Sequence, residues 1–378
     1  MVNEWTSVIA WPLILVGACV PCVQAGVSYT LVDLGDLGGQ YAQARGVNEL
    51  GQVVGESLLP VAGTVQHAFG WQGSGLSDLG TLGGQNSRAV AISNGGTAVG
   101  WAEDATGVVR PTVWSGQTAM ALPTVDGALG VAWGINEAEA VVGSFGLADG
   151  GFRAALWDGG AVTDLGTLGG AYSVAYDIND TGIIVGTAYD GAGRERACVW
   201  DSGVPADLGL LPGGKWIAAR NVNASGQITL WGAPTGAAGN HAVFWSGDAG
   251  SPVVDLGTFG GSESWAYGLN DQGFVVGWAG MADGTYHAFV WDGAAMTDLG
   301  TLGGPFSAAY DINDQGTIVG WAQDGNGVTH AIAWVAVPEP SRVWLLLGGM
   351  FALYRSHRRQ HRAGNLSARL TENQTRRA

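Results

Sequence analysis

Seven side chains able to bind, donate or titrate recur at one place in the sequence. His67, Arg110, Arg153, Arg196, His241, His287 and His330 each stand four residues before a tryptophan. On a symmetric scaffold they would sit at equivalent heights and could face a ligand along a rim. Zinc takes three or four convergent ligands. Here the histidines come one at a time, interrupted by arginine, so no metal site is expected from them. The simpler reading makes each a strand-end residue that hydrogen-bonds the neighbouring repeat. Asp177-Ile178-Asn179-Asp180-Thr181-Gly182 and Asp311-Ile312-Asn313-Asp314-Gln315-Gly316 come near a calcium loop, but their acids fall one place early for that spacing. A β-turn accounts for them more simply, with calcium as the alternative and no other cofactor implied. The Leu-Gly-Gly segments are followed by no helix and no Lys-Ser/Thr, so they are turns and not phosphate loops.

Positions that break a pattern are better binding candidates than positions that keep it. Lys215, Trp216 and Trp265 fall in the stretches entering a strand, and exposed rings there would suit stacking on sugars. An enzyme usually carries an acid/base pair or a nucleophile found once. None stands out here, and no catalytic residue is assigned. Glu263 and Asp283 are the loop carboxylates that a polysaccharide hydrolase or lyase would use.

These residues are positioned by a repeat. Trp71, Trp114, Trp157, Trp200, Trp245, Trp291 and Trp334 close seven units at separations of 43 to 46 residues. Asn48, Asn136, Asn179, Asn223, Asn270 and Asn313 keep the same phase, with Ser93 in the second unit. Four residues before each comes an alanine: Ala44, Ala89, Ala132, Ala175, Ala219, Ala266 and Ala309. Within residues 164–200 and the segment after them, four extended runs are bounded by Gly, Asn or Asp, the signature of strands and turns. No stretch of the body shows a helical period with caps. The 65 glycines are therefore turn residues of an all-β body and not a sign of disorder.

Four strands in about 40–45 residues is the size of one propeller blade. The fold expected is a seven-bladed β-propeller, with a β-solenoid as the alternative, followed by a hydrophobic helix near the C-terminus. One detail favours the ring. The last unit stops after its third strand, near Trp334, and a matching fourth strand, Tyr29-Thr30-Leu31-Val32-Asp33-Leu34-Gly35, stands at the other end of the chain. Pairing the two ends would leave no open sheet edge there. The seven tryptophans would then be core between blades.

Composition sets further limits. The net charge is −16, and residues 26–336 are far more acidic than the Arg-rich tail. Such a body will not bind nucleic acid through its phosphates. Residues 1–25 have an apolar core and a small-residue end at Val23-Gln24-Ala25, and read as an export signal, although the leader carries Glu4 and no Lys or Arg. Cleavage there leaves Cys198 alone, so no internal disulfide forms, and Cys198 is expected in the core.

Two stretches resemble known families. Pro338-Glu339-Pro340, the apolar run at 343–354 and then Arg355, Arg358, Arg359 and Arg362 resemble a PEP-CTERM sorting signal. The run is short for a stable membrane span, which takes about 20 residues. The resemblance implies an exosortase-type sorting protease as partner, a transient anchor in the inner membrane, and the cell surface of a Gram-negative bacterium that makes exopolysaccharide. Leu-Gly-Gly, Ser-x-Ala, Ile-Asn-x-x-Gly, Val-Gly and His-Ala-Phe-x-Trp, with His67-Ala68-Phe69 and His287-Ala288-Phe289, resemble the extracellular HAF repeat over nearly all of 33–334. That likeness implies export and a repeat body, with no assigned activity. Val16-Gly17-Ala18-Cys19 loosely resembles a lipoprotein box. The domains expected are 1–25 (signal), 26–336 (seven repeats), 337–362 (sorting and anchor segment) and 363–378 (polar basic tail). The function expected is an exported, surface-sorted, non-enzymatic protein that binds or organises extracellular matrix. The alternatives are a hydrolase or lyase, or a purely structural surface protein.

Overall fold

Alternating side chains and glycine turns build the same antiparallel sheet again and again. The structure is a computed structural model that describes residues 28–61, 64–209, 217–234, 239–248 and 251–337. Tyr29–Ala336 group as one compact unit. Met1–Ser28 and Val337–Ala378 group apart from it. Nearly all of that second unit lies outside the described residues, including the leader, the apolar run at 343–354 and the sorting residues Pro338, Glu339, Pro340, Arg355, Arg358 and Arg359.

The described body is all-β. The one helical element among the described residues is a single 3₁₀ turn, Val125–Gly127, and no helix there is long and apolar enough to cross a membrane. The fourth repeat shows the plan. Gly169–Ile178, Ile184–Asp190, Glu195–Asp201 and Val204–Asp207 pair antiparallel in that order. Among the described residues this plan occurs seven times. In the last repeat the outer strand is Ser28–Gly35, beside Thr329–Val337, so the start of the chain completes the sheet begun near its end.

The turn between the first two strands is held by its asparagine. Asn179 Oδ1 accepts the N–H groups of Thr181 and Ile183, at 3.1 and 3.0 Å. Gly182 follows at φ +85°, a left-handed conformation that glycine adopts without a steric penalty. The second strand carries a different glycine for a different reason. A Cβ on Gly186 would lie 2.0 Å from the carbonyl oxygen of Val174 on the first strand. Gly55, Gly100, Gly143, Gly277 and Gly320 are as tightly placed. The fifth repeat has the buried Leu230 in that column, and nothing in the structure explains the exception.

Neighbouring repeats are joined by three devices, each a consequence of one recurring residue. The tryptophan indole N–H crosses to the preceding repeat: Trp200 donates to the Leu165 carbonyl and Trp334 to that of Leu299, at 2.9 and 3.0 Å. Trp114, Trp157, Trp200 and Trp334 are at most 2 % exposed, as expected of core between repeats. Trp291 is buried too, whereas Trp71 and Trp245 are only partly buried. Serine provides the second device. Ser173 accepts the Ala154 N–H and donates to the Gly166 carbonyl, and Ser87, Ser264 and Ser307 do the same one repeat apart. The third is the turn asparagine, whose Nδ2 donates to the main chain of the next asparagine. Asn136 reaches Asn179, Asn179 reaches Asn223, Asn223 reaches Asn270 and Asn270 reaches Asn313. Asn313 in turn donates to the carbonyl of Asn48, 3.0 Å away and 265 residues earlier.

Other contacts make the same return from the last repeat to the first. Thr329 bridges Tyr41 in the way that Phe152 bridges Tyr172 and Tyr286 bridges Phe306. One apolar core is shared by Val319, Ala331 and Ala333 of the last repeat and Ala44, Val53 and Phe69 of the first. The second repeat departs from the asparagine pattern, and its neighbour compensates. Ser93 replaces Asn, and its hydroxyl bonds Glu139 Oε1 at 2.9 Å. Glu139 itself stands where other repeats have the turn glycine, at φ +61°.

Candidate functional site

The alanine four residues before each asparagine has no exposure in any repeat. Just after it the first strand bulges: the register slips between Ala175 and Asp177, and at the same place in the other repeats. A bulge bends a strand and re-aims its side chains. The residue inside it varies among the repeats: Arg45, Val90, Trp133, Tyr176, Arg220, Tyr267 and Tyr310. All seven line one cavity of about 390 Å³, together with Arg88, Asp177 and Asp311.

These side chains touch in sequence around the cavity. Trp133 meets Tyr176 edge-on, with ring centroids 6.0 Å apart. The Arg220 guanidinium lies 4.1 Å above the Tyr176 ring and 5.7 Å from that of Tyr267. Tyr267 meets Tyr310 at 5.1 Å, and Arg45 lies 4.2 Å over Tyr310. The order aromatic, tyrosine, arginine therefore occurs twice, with Val90 as the seventh member.

The two arginines of that pattern differ in electrostatics. Arg45 grips the fully buried Glu56 through Nε and Nη2, at 2.7–3.1 Å, and Arg88 stands 3.4 Å from the same carboxylate. Burial works against the charge of Arg45, and Glu56 more than restores it, so the guanidinium pKa is raised. The fifth repeat has Trp231 where the first has Glu56. Arg220 has no carboxylate paired with it among the described residues, and Glu195 acts on it only through space.

Asp177 and Asp311 follow Tyr176 and Tyr310 and are set deep in the cavity with part of their surface still toward it. Desolvation pushes both carboxyls up to about 7, against the hydrogen bonds they accept. Asp177 accepts the Val222 N–H, and Asp311 that of Val47, each at 2.9 Å and each from the next repeat. Asp180 and Asp314 point the other way, to the N–H groups of Glu137 and Asp271 in the preceding repeat. The acids of each Asn-Asp-x-Gly turn thus diverge and do not converge on a cation. Among the described residues no group of three or more His, Cys, Asp or Glu is placed to hold a metal ion. Glu49, Glu137, Asp180, Asp271 and Asp314 form an acidic collar around an adjoining cavity of about 340 Å³.

The residues singled out in the sequence lie elsewhere. His67, His241 and His287 set Nδ1 at 2.9 Å from Asp78, Asp255 and Asp298. His330 reaches Asp33 on the strand from the start of the chain, again at 2.9 Å. Arg153 and Arg196 stand 3.8 Å from Asp164 and Asp207. The four histidines thus pair with the outer strand of the same sheet and not with the neighbouring repeat. Arg153, by contrast, also donates to the Ala171 carbonyl of the next repeat at 2.7 Å, as expected. Arg110 donates to the Gly127 carbonyl in the segment leading into the next repeat, and Arg196 lies nearer to Asp190 of its own sheet, at 3.2 Å. Arg110, which faces Ala121 in place of an aspartate, takes Asp104 at 2.9 Å instead. None of these side chains lines the aromatic cavity.

Lys215 and Trp216 lie outside the described residues. Trp265 is not on a loop: it stands within Gly260–Leu269, opposite Trp278. There it stacks on Trp231 at 4.2 Å and Trp278 at 6.1 Å, with a buried Nε1 that has no hydrogen-bond partner among the described residues. Asp283 holds a turn by accepting from Thr285 N and Oγ1. Neither it nor Glu263 lines the cavity. Cys198 is fully buried, and burial pushes its thiol up to about 12, which makes it an inert core residue.

No protein-family model and no curated protein matches this chain. Solved structures do resemble it. TolB from Acinetobacter baumannii matches over 82% of this chain and 63% of its own, at 12% identity and a TM-score of 0.44. The chain thus spans less than two thirds of that protein's length. Aleuria aurantia lectin, solved with Fucalpha1-6GlcNAc, matches over 66% of this chain and 96% of its own, at 13% identity and 0.38. AofleA from Arthrobotrys oligospora matches over 72% and 88%, at 10% identity and 0.42. The lectin is described as a six-bladed β-propeller. At this level of likeness no ligand or activity carries over.

Proposed function

We propose that residues 29–336 form a seven-bladed β-propeller whose axial cavity binds glycan without cleaving it, on an exported chain sorted to the cell surface. The bonds from Asn313 to Asn48 and from His330 to Asp33 support a closed ring over a solenoid, since a stack of hairpins has no contact between its ends. One observation carries the binding reading. The residue after the buried alanine is a column of the first strand that the repeat leaves free to vary, and six of its seven members are tyrosine, tryptophan or arginine facing one cavity. Aromatic rings offer flat apolar faces with a polar edge, which suits the faces and hydroxyls of pyranose rings. In this reading the exopolysaccharide is the partner, and an exosortase-type protease and the membrane act on the chain only before processing.

Asp177 and Asp311 favour a second reading. Two carboxyls held near neutrality in an aromatic cavity are the equipment of a glycosidase. Their engagement with the main chain of the next repeat speaks for a structural role. Sedimentation of the full chain with host exopolysaccharide, with reducing ends assayed in the same tube, separates the readings. Retention without new reducing ends is expected. New ends that vanish in Asp177→Asn would establish the enzyme, and no retention would leave a structural surface protein.

A further inference from the structure

We propose that the axial cavity takes an acidic glycan and that Arg220 receives its carboxylate. This rests on the glycan reading above and names the class of sugar. A strongly acidic chain, net −16, has few cations, and where it places them is informative. Arg110, Arg153, Arg194 and Arg196 are spent on aspartates of the outer strands and turns. Arg45, Arg88 and Arg220 all line the one cavity. Arg45 and Arg88 share Glu56. Arg220 alone of the three has no paired carboxylate among the described residues, although it occupies the place that Arg45 fills in the other half of the pattern.

Its geometry is that of a poised donor. A guanidinium stacked on a ring, as Arg220 is on Tyr176, gives up its face and keeps its N–H edge for a planar acceptor. A carboxylate accepts such an edge through two oxygens. The rings of Tyr176 and Tyr267 on either side then hold the sugar that carries the carboxylate. The charged groups around Arg220 set the limit on the ligand. Glu195, Asp177 and the acidic collar repel a densely charged polyanion, so the fitting ligand spaces its carboxylates with neutral sugars between them.

The test uses the full chain, titrated with a hexasaccharide carrying glucuronate at alternate residues. The same hexasaccharide with its carboxyls reduced to alcohols is the comparison. The acidic form should bind about tenfold more tightly, the worth of one charge-assisted hydrogen bond. Arg220→Gln should abolish the difference, and Arg194→Gln on the outer surface should keep it. Equal binding of the two forms, or a difference that survives Arg220→Gln, overturns the proposal and leaves the glycan reading standing. Binding of neither form removes both. If tryptophan emission shows that Arg220→Gln does not fold, Arg220→Lys replaces it. A reduced preference then supports the planar contact, and an unchanged one contradicts it.

Discussion

The wall of this molecule and the lining of its aromatic cavity, the axis in the reading proposed above, are built from the same strands under opposite rules. In the wall each recurring residue does the same work in most repeats, with exceptions such as Ser93 in place of asparagine and Trp114, whose Nε1 has no partner among the described residues. Tryptophan bonds the preceding repeat, serine staples two repeats, and asparagine holds a turn and reaches the next. Along the axis one column is left without such shared work. A position that does the same work seven times is structural; a position released from it is where a ligand can be selected. The contrast extends to charge. Asp190 of the wall is held low: hydrogen bonds, from the Arg194 main chain first, keep it at about 2. Asp177 and Asp311 of the axis are pushed up to about 7.

The two regions should therefore fail differently when mutated. The largest effect is expected at Gly186→Ala, where the new Cβ meets the Val174 carbonyl oxygen. Urea unfolding should show a loss of about 4–5 kcal/mol or more, the range reserved for a named structural breach. Trp200→Ala should cost roughly 3–5 kcal/mol by the same measurement. The fraction that folds should bind glycan with unchanged affinity. Tyr176→Ala should do the reverse. Calorimetric titration should show about 1–2 kcal/mol of binding lost, roughly five- to thirtyfold, with a smaller change in stability than at Trp200. Equal losses of stability and binding at both sites would erase the distinction.

The pH response should carry opposite signs. Asp177 and Asp311 hold their protons in the folded state at pH values where the unfolded chain, near 3.9, has released them. Their contribution is full below about pH 4 and is lost as the pH rises through about 7. Asp190, with its folded pKa depressed, contributes above about pH 4 and loses that as the pH falls toward 2. Midpoints of thermal unfolding across pH 4 to 8 should decline, and the double substitution Asp177→Asn, Asp311→Asn should flatten that decline. The smallest effect is expected at His67→Gln. Its partly exposed pair with Asp78 should be worth at most about 1 kcal/mol, and the substitution should leave glycan retention intact. Lost retention there would restore the histidine rim as a binding surface.

Much of the wall was legible in the sequence because its residues recur with a fixed phase. The strands, the asparagine turns, the buried tryptophans and the outer strand supplied by residues near Tyr29 all follow from that periodicity. The axis was not legible, for a physical reason. Strand alternation assigns Ala175 to one face and Tyr176 to the other, and gives no sign of the bulge that turns Tyr176 and Asp177 toward the cavity. The usable signal was chemical irregularity at one column, next to an alanine that never changes. Trp265 misled because a tryptophan absent from other repeats reads as exposed, whereas Trp231 and Trp278 are there to cover it.

If the irregular axial column, and not the regular wall, binds glycan, retention on host exopolysaccharide is the most direct measurement of it. The full chain is compared as wild type, as the double variant Trp133→Ala, Tyr310→Ala, and as the double variant His67→Gln, His241→Gln. The axial pair should abolish retention while the histidine pair leaves it unchanged, both variants being folded by circular dichroism. Retention that survives the axial pair and is lost with the histidines would contradict axial binding.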